Sequence, residues 1–196
     1  MASLSIALIA ALAALAAAGA RALPAAAAHA VKPVAARPAK GCANTHLRPA
    51  PTNLSAIDAA TLCLIDLVRA RRHLRTLRFN PRLQRVASGQ SRDMVAGNYF
   101  ADRSLSGETP LQRVLSLSYV PRGTPVCTAQ NIGWGIRGEA TPAAMLGAWM
   151  RSVPHRLILL APGFRDLGVG VAPAAPGFLS QGQPGATYTA ELGAPC

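Results

Sequence analysis

The sequence predicts an α+β fold, and three observations support this. Amphipathic helical segments come first along the chain, strand candidates follow with one further helix among them, and the helix starts carry capping signals. This order is typical of helices layered on a sheet and differs from the regular strand–helix alternation of doubly wound folds. A chain of 196 residues is long enough for one such domain and an N-terminal extension.

Capping signals place four helix starts. The first helix is predicted to begin near Asn53 or Ser55, both of which are favoured caps. The other three starts pair a cap with proline, which suits the first helical position: Asn80-Pro81, Thr109-Pro110 and Thr141-Pro142. Gln112 is placed to complete a capping box with Thr109. Apolar residues then recur at helical spacing, as in Ile57, Leu64, Ile65 and Val68, and again in Leu83, Val86, Ala87 and Met94.

Three segments are strand candidates: residues 130–135, 167–172 and 186–192. Tyr188 and Thr189 favour a strand in the last of these. The loop at 173–185 is rich in proline and glycine, which is typical of a hairpin connection. The strands are therefore expected to form one sheet late in the chain.

Residues 1–30 are predicted to be a signal peptide. The apolar run at 5–20 is shorter than the roughly 20 residues that a membrane span needs, and small-residue cleavage sites follow it. Of these, Ala28-His29-Ala30 is preferred over Ala18-Gly19-Ala20, because polar, proline-rich sequence begins after it. No Lys or Arg precedes the run, so an uncleaved anchor is the alternative. Residues 31–52 are predicted to be a Pro-rich arm and 53–196 the folded domain.

The four cysteines, Cys42, Cys63, Cys127 and Cys196, fit an exported protein with two disulfides. Four cysteines allow three pairings, and we favour Cys42–Cys63 with Cys127–Cys196. Four buried thiols are the alternative. No two cysteines have Cys-x-x-Cys spacing, which argues against a zinc knuckle or a redox motif.

The chain carries a formal charge of +12, with many arginines between Arg69 and Arg85. Such a field favours anionic partners, for example lipid headgroups or envelope polymers. A solvated helix face explains the same arginines without any partner. Because no aromatic residues interleave with them and no nucleic-acid module is recognisable, nucleic-acid binding is not expected.

A series of short motifs resembles the bacterial branch of the CAP family, the cysteine-rich secretory, antigen 5 and pathogenesis-related 1 proteins. Each motif is weakly specific alone, but their order and spacing together, over about residues 55–193, are specific. The motifs are Asn98-Tyr99-Phe100, Gly107-Glu108-Thr109-Pro110, Gln130-Asn131-Ile132-Gly133-Trp134, Pro154-His155-Arg156 and Phe164-Arg165-Asp166-Leu167-Gly168. The resemblance implies a three-layer α-β-α sandwich with a central antiparallel sheet.

The cleft of that family usually gathers two histidines and two acidic residues, often around a divalent metal. At the matching positions this chain has Asp102 for the first histidine, Gln130 for the first glutamate and Ser152 for the second glutamate. Only His155 matches. Because zinc prefers three or four N, S or carboxylate ligands, we expect no metal and no cofactor, and we take Asp102, Gln130 and His155 as cleft residues.

The resemblance therefore implies a non-catalytic exported domain that binds a small apolar ligand, such as a lipid or sterol, or an envelope partner. The alternative is a cell-envelope hydrolase of peptides or glycans that uses His155 with Asp102. The nucleophile elbow Gly-x-Ser-x-Gly is absent from the sequence, which argues against one hydrolase class. A third reading is electrostatic attachment to anionic surfaces through residues 69–85.

Overall fold

The computed structural model describes residues 41–196, so the predicted signal peptide and the first part of the Pro-rich arm lie outside the described residues. The helices are α1 (Leu54–Ala70), α2 (Pro81–Ala96), α3 (Pro110–Ser116), α4 (Pro142–Arg151), α5 (Val153–Leu159) and α6 (Gly177–Ser180). The strands are β1 (Arg78–Phe79), β2 (Val126–Ile136), β3 (Asp166–Ala172) and β4 (Gly185–Pro195), with a 3₁₀ turn at Arg137–Ala140.

The strands form one sheet in the order β1-β3-β4-β2. Strands β2, β4 and β3 pair antiparallel, which agrees with the expected sheet. The short edge strand β1 differs, because it runs parallel to β3. It is held there by main-chain bonds from Arg78 to Arg165 (2.8 Å) and from Asn80 to Leu167 (3.0 Å).

One face of the sheet packs on α1, α4 and α5 and contains the larger apolar core. Trp149 of α4 lies edge-on to Tyr188 of β4, with ring centroids 6.5 Å apart. Ile57 and Ile65 of α1 are fully buried in the same cluster, as the helical spacing of these residues predicts. This face therefore joins the first helix to the sheet that forms from the end of the chain.

The other face packs on α2 and α3. Gly168 and Gly170 of β3 lie directly under α2, where any added Cβ would overlap the helix backbone. This close approach lets Ser91 of α2 hydrogen-bond Gly170 and Thr189, both at 2.8 Å. The α+β class and the three layers are thus confirmed.

The capping predictions are confirmed at three helix starts. Asn80 accepts from two main-chain N–H groups of α2, Thr109 forms a capping box with Gln112, and Thr141 accepts from Ala144. Asn53 occupies the cap position of α1 but caps nothing with its side chain. Instead its Oδ1 accepts from the main-chain N–H of Ala50, at 2.8 Å, which fixes the turn before the helix.

The basic surface proposed for residues 69–85 does not include Arg69, because the side chain of Arg69 is fully buried. Its Nη1 donates to the carbonyls of Leu159 (2.7 Å) and Ala161 (3.0 Å), and its Nε donates to that of Arg75 (2.9 Å). Buried guanidinium groups persist only where carbonyls or anions satisfy them. Arg69 therefore ties α1 to the end of α5 and contributes no exposed charge.

Two disulfides join Cys42 to Cys63 and Cys127 to Cys196, the pairs favoured from the sequence. The first ties the N-terminal arm to α1, and the second ties the C-terminal residue to the start of β2. Within residues 41–196, no helix combines the length and the hydropathy that crossing a membrane requires.

Candidate functional site

Gln130 lies opposite Glu191 in the antiparallel pairing of β2 with β4. Its side-chain Nε2 donates to Glu191 Oε2 at 2.8 Å. Both side chains belong to the face that α2 covers, because Glu191 also pairs with Gly168, which lies under that helix. The family resemblance implies a glutamate at position 130, where this chain has glutamine. A carboxyl group is nevertheless present at this place, because Glu191 supplies one from the neighbouring strand.

Glu191 has no exposed surface. Burial raises its pKa to about 8, although the hydrogen bond from Gln130 and the charge of Arg113 act in the opposite direction. The nearby Asp102 raises the pKa further, because two like charges disfavour each other. Glu191 is thus mainly a neutral carboxylic acid at pH 7, and a neutral carboxyl is a hydrogen-bonding group rather than a nucleophile.

A polar cavity of about 340 Å³ lies between α2, α3 and the loop that joins them. Gln90 and Arg113 line it, and both anchor the loop between the helices: Gln90 donates to the carbonyl of Ala101, and Arg113 donates to those of Asp102 (2.6 Å) and Glu108 (2.8 Å). Asp102 is therefore held near Glu191 through its main chain.

His155 makes different contacts. Its Nδ1 lies 2.7 Å from Ser152 Oγ, and its carbonyl accepts from Asn131 Nδ2 at 2.9 Å. Asn131 projects to the face opposite that of Gln130, because neighbouring residues of a strand alternate. Within residues 41–196, no hydrogen bond or ion pair joins His155 to Asp102 or Gln130. The structure brings Asp102 and Gln130 to Glu191 and ties His155 to Ser152.

The donor set does not fit the divalent metal that the family resemblance implies. Among residues 41–196, no three His, Cys, Asp or Glu side chains lie close enough together to share an ion. The amide of Gln130 is a poor zinc ligand, and Glu191 would first have to lose a tightly held proton.

A second, largely apolar cavity of about 450 Å³ lies between α1 and α2 at the β1–β3 edge of the sheet; we call it the α1–α2 cavity. Its volume falls in the range of about 300–1,000 Å³ that is typical of small-ligand pockets. Phe79, at its wall, is 54% exposed. The lining residues are Ser55, Asp58, Ala59, Leu62, Phe79, Gln84 and Val169.

Asp58 is the titratable group of this lining. Its Oδ2 accepts from Gln84 Nε2 at 3.1 Å, while its Oδ1 is buried and has no hydrogen-bond partner among residues 41–196. Burial raises the pKa of Asp58 to about 7, which the hydrogen bond from Gln84 only partly offsets. In small-molecule sites, a polar group of this kind in an apolar wall is the type of group that orients a ligand.

Sequence reasoning missed Glu191 and Asp58. For Glu191 a signal was present: in β4 the polar residues Thr187, Thr189 and Glu191 alternate with apolar ones, so the glutamate had to point to one covered face. For Asp58 there was little signal, since an aspartate in the second turn of an amphipathic helix is usually solvated.

A family model described as the cysteine-rich secretory protein family (CAP) matches residues 62–182. The uncharacterised protein YkwD of Bacillus subtilis (strain 168) is 32% identical over 123 residues, which cover 62% of this chain and 44% of YkwD. This chain thus aligns to less than half of that relative.

Solved structures show the same likeness. An extracellular protein with an SCP domain from Bacillus anthracis has a TM-score of 0.56 at 26% identity, over 74% of this chain and 43% of that one. An outer surface protein from Borrelia burgdorferi has a TM-score of 0.56 at 17% identity, over 69% and 90% of the two chains. A cysteine-rich secretory protein from Staphylococcus aureus has a TM-score of 0.54 at 19% identity, over 73% and 40%.

The last two likenesses concern the fold alone, because their identities are low. The family model covers more than half of the chain and agrees with the motifs and with the three-layer architecture. The chain belongs to the cysteine-rich secretory protein (CAP) family.

Proposed function

We propose that this chain is an exported, non-catalytic CAP domain that binds a small apolar ligand, such as a lipid or sterol, in the α1–α2 cavity. The observation that carries the proposal is the cavity itself. Three segments contribute apolar surface to it, through Ala59 and Leu62 of α1, Phe79 of β1 and Val169 of β3, and α2 adds the polar Gln84. A concave, mostly apolar pocket with few polar groups is the usual form of a small-ligand site.

Three features support export. The N-terminal sequence has the composition of a signal peptide, both disulfides suit an oxidising compartment, and the similar Bacillus anthracis protein is described as extracellular. The net charge of +12 would hold such a protein near anionic envelope polymers by long-range attraction. That attraction supports retention at the envelope and does not require a dedicated binding site.

The hydrolase alternative has less support. The ring of His155 bonds Ser152, which is three residues away at the start of the same helix, so the pair is a local contact of a helix terminus. Glu191, the buried carboxyl near Asp102, retains its proton at neutral pH. If the alternative were correct, His155→Ala would abolish cleavage of a peptide or glycan panel without changing the melting temperature.

A cavity-filling substitution tests ligand binding. Ala59 lines the α1–α2 cavity and is exposed at its opening, so Ala59→Phe places a ring in the ligand volume. We expect equilibrium dialysis with tritiated cholesterol, decanol and decanoate to show saturable binding of at least one ligand, and Ala59→Phe to weaken that binding by about tenfold or more.

The matched control is Ala148→Phe, at an exposed alanine of α4 that does not line the cavity. It should bind as the unmodified protein does, as should His155→Ala. The proposal is wrong if no lipid class binds saturably, or if Ala59→Phe binds as well as Ala148→Phe.

A further inference from the structure

Among the described residues, one ionisable side chain lines the α1–α2 cavity, that of Asp58. The other polar lining groups, Ser55 and Gln84, are uncharged, and the remaining lining residues are apolar. The polar end of any ligand bound here must therefore be compatible with this carboxyl group. The geometry of the cavity therefore indicates which chemical group the polar end of a ligand carries.

The Asp58 carboxyl has unused capacity to accept hydrogen bonds. An ionised carboxylate offers about four lone-pair positions, and the protein uses one of them, through Gln84. Oδ1 is buried and has no partner within residues 41–196. A ligand that donates to this carboxyl group uses acceptor capacity that the protein leaves free, whereas a ligand without a donor leaves the carboxyl unpaired in an apolar wall.

We propose that the α1–α2 cavity selects apolar ligands whose polar end donates a hydrogen bond to Asp58 and carries no negative charge, namely a hydroxyl or a protonated amine, over fatty acids of the same chain. This inference rests on the proposed function, since it concerns the same cavity. It assigns Asp58 as the residue that determines specificity.

The surrounding groups do not reverse this preference. Among the lining residues, those from α2, β1 and β3 are uncharged. The hydroxyl of Tyr188 of β4 donates to the carbonyl of Ala140, and burial, followed by the charge of Asp58, raises the pKa of that phenol. In the part of the chain that the structure describes, no basic side chain lines the cavity, so an anionic headgroup would meet no counter-charge from these residues.

The ionisation of Asp58 strengthens the selection above neutrality. Its pKa of about 7 means that the carboxyl is mainly charged at pH 8. A carboxylate ligand would then meet a like charge in an apolar wall, whereas an ammonium group would form a charge-assisted hydrogen bond. An alcohol donates to either form of the carboxyl.

The test compares decanol, decylamine and decanoate, which share one alkyl chain and differ in the polar end. By equilibrium dialysis at about pH 8, where the amine is protonated and decanoate ionised, we expect the alcohol and the amine to bind at least about tenfold more tightly than decanoate. Asp58→Asn keeps the side-chain shape and removes the charge. It should weaken binding of the amine, strengthen binding of decanoate and bring the three affinities to within about threefold.

Glu139→Gln is the matched control, because it removes one negative charge at an exposed residue outside the cavity. It should leave the order of affinities unchanged. Equal binding of decanoate and decanol by the unmodified protein, or an unchanged order in Asp58→Asn, would overturn the role of Asp58 and leave apolar binding intact. Absence of binding by all three ligands would overturn this inference, and absence of cholesterol binding as well would overturn the proposed function with it.

Discussion

Glu191 and Gln130 form a carboxyl–amide pair that spans two strands of the sheet. The two residues are far apart in sequence and meet because β2 and β4 pair in a register that sets them opposite each other. The sequence predicted Gln130 as a cleft residue but not its partner. Strand register depends on tertiary packing, so a partner across a sheet cannot be deduced from local patterns alone.

The protonation of Glu191 predicts how stability depends on pH. The folded protein holds this proton up to about pH 8, whereas the ordinary pKa of a glutamate is 4.5. Between these values unfolding releases a proton, so the free energy of unfolding should fall as the pH rises, and level off above about pH 8. Asp58 acts in the same direction, from 3.8 to about 7.

Replacing Glu191 with glutamine removes the proton but keeps an acceptor for Gln130. We expect urea unfolding between about pH 5 and pH 8 to show that the free energy of unfolding falls less steeply with pH in Glu191→Gln than in the unmodified protein. The difference in slope should be up to about 1.4 kcal/mol per pH unit. The control Glu139→Gln, at an exposed residue, should keep the original slope. An identical slope in Glu191→Gln and the unmodified protein would show that the buried carboxyl does not carry the proton.

At the scale of the elements, helix starts could be predicted because their signals are local. Asn80-Pro81, Thr109-Pro110 and Thr141-Pro142 each begin a helix as expected. Strand β1 was missed because its two residues have no pattern of their own and are extended only through pairing with β3. Helix α5 was missed because it begins two residues after α4 ends, so no separate stretch of periodicity marks it.

A close contact between elements lies where α2 crosses β3. A Cβ at Gly170 would overlap the backbone of Ala87 and Ser88, which cannot give way as a flexible side chain can. We expect Gly170→Ala to lower the free energy of unfolding by about 1–3 kcal/mol, as is typical of overpacked sites. Urea unfolding measures this directly.

Gly163→Ala provides the comparison, since nothing lies near its added Cβ. It should leave stability unchanged or slightly raised, because alanine restricts the unfolded chain. Equal stability of the two alanine variants would mean that the approach of α2 to the sheet is looser than the structure shows.

At the scale of the whole molecule, the fold class followed from the order of elements, and the family from ordered motifs. The α1–α2 cavity could not be predicted, because its wall is assembled from α1, β1, α2 and β3 and exists only after they pack. The sequence predicted which positions belong to the cleft but not which contacts their side chains make. Of these, Asp102 and Gln130 lie near Glu191, whereas the contacts of His155 lead to Ser152 and Asn131.

The fold decides which arginines contribute to the surface charge. Arg69 is buried, whereas Arg71, Arg72 and Arg75 remain exposed beyond it. Surface charges attract anionic polymers over distances that salt shortens to about 8 Å at physiological ionic strength. Long-range attraction of this kind does not select one ligand, so in our proposal the α1–α2 cavity supplies the selection.

Native mass spectrometry of the exported protein with added decanol tests the central claim most directly. We expect a mature chain that lacks the predicted signal peptide and carries a single decanol adduct, both in the unmodified protein and in Ala148→Phe. Ala59→Phe should show the mass expected for the same mature chain with this substitution, without the adduct. An adduct of equal abundance in Ala59→Phe, or none in the unmodified protein, would contradict the account.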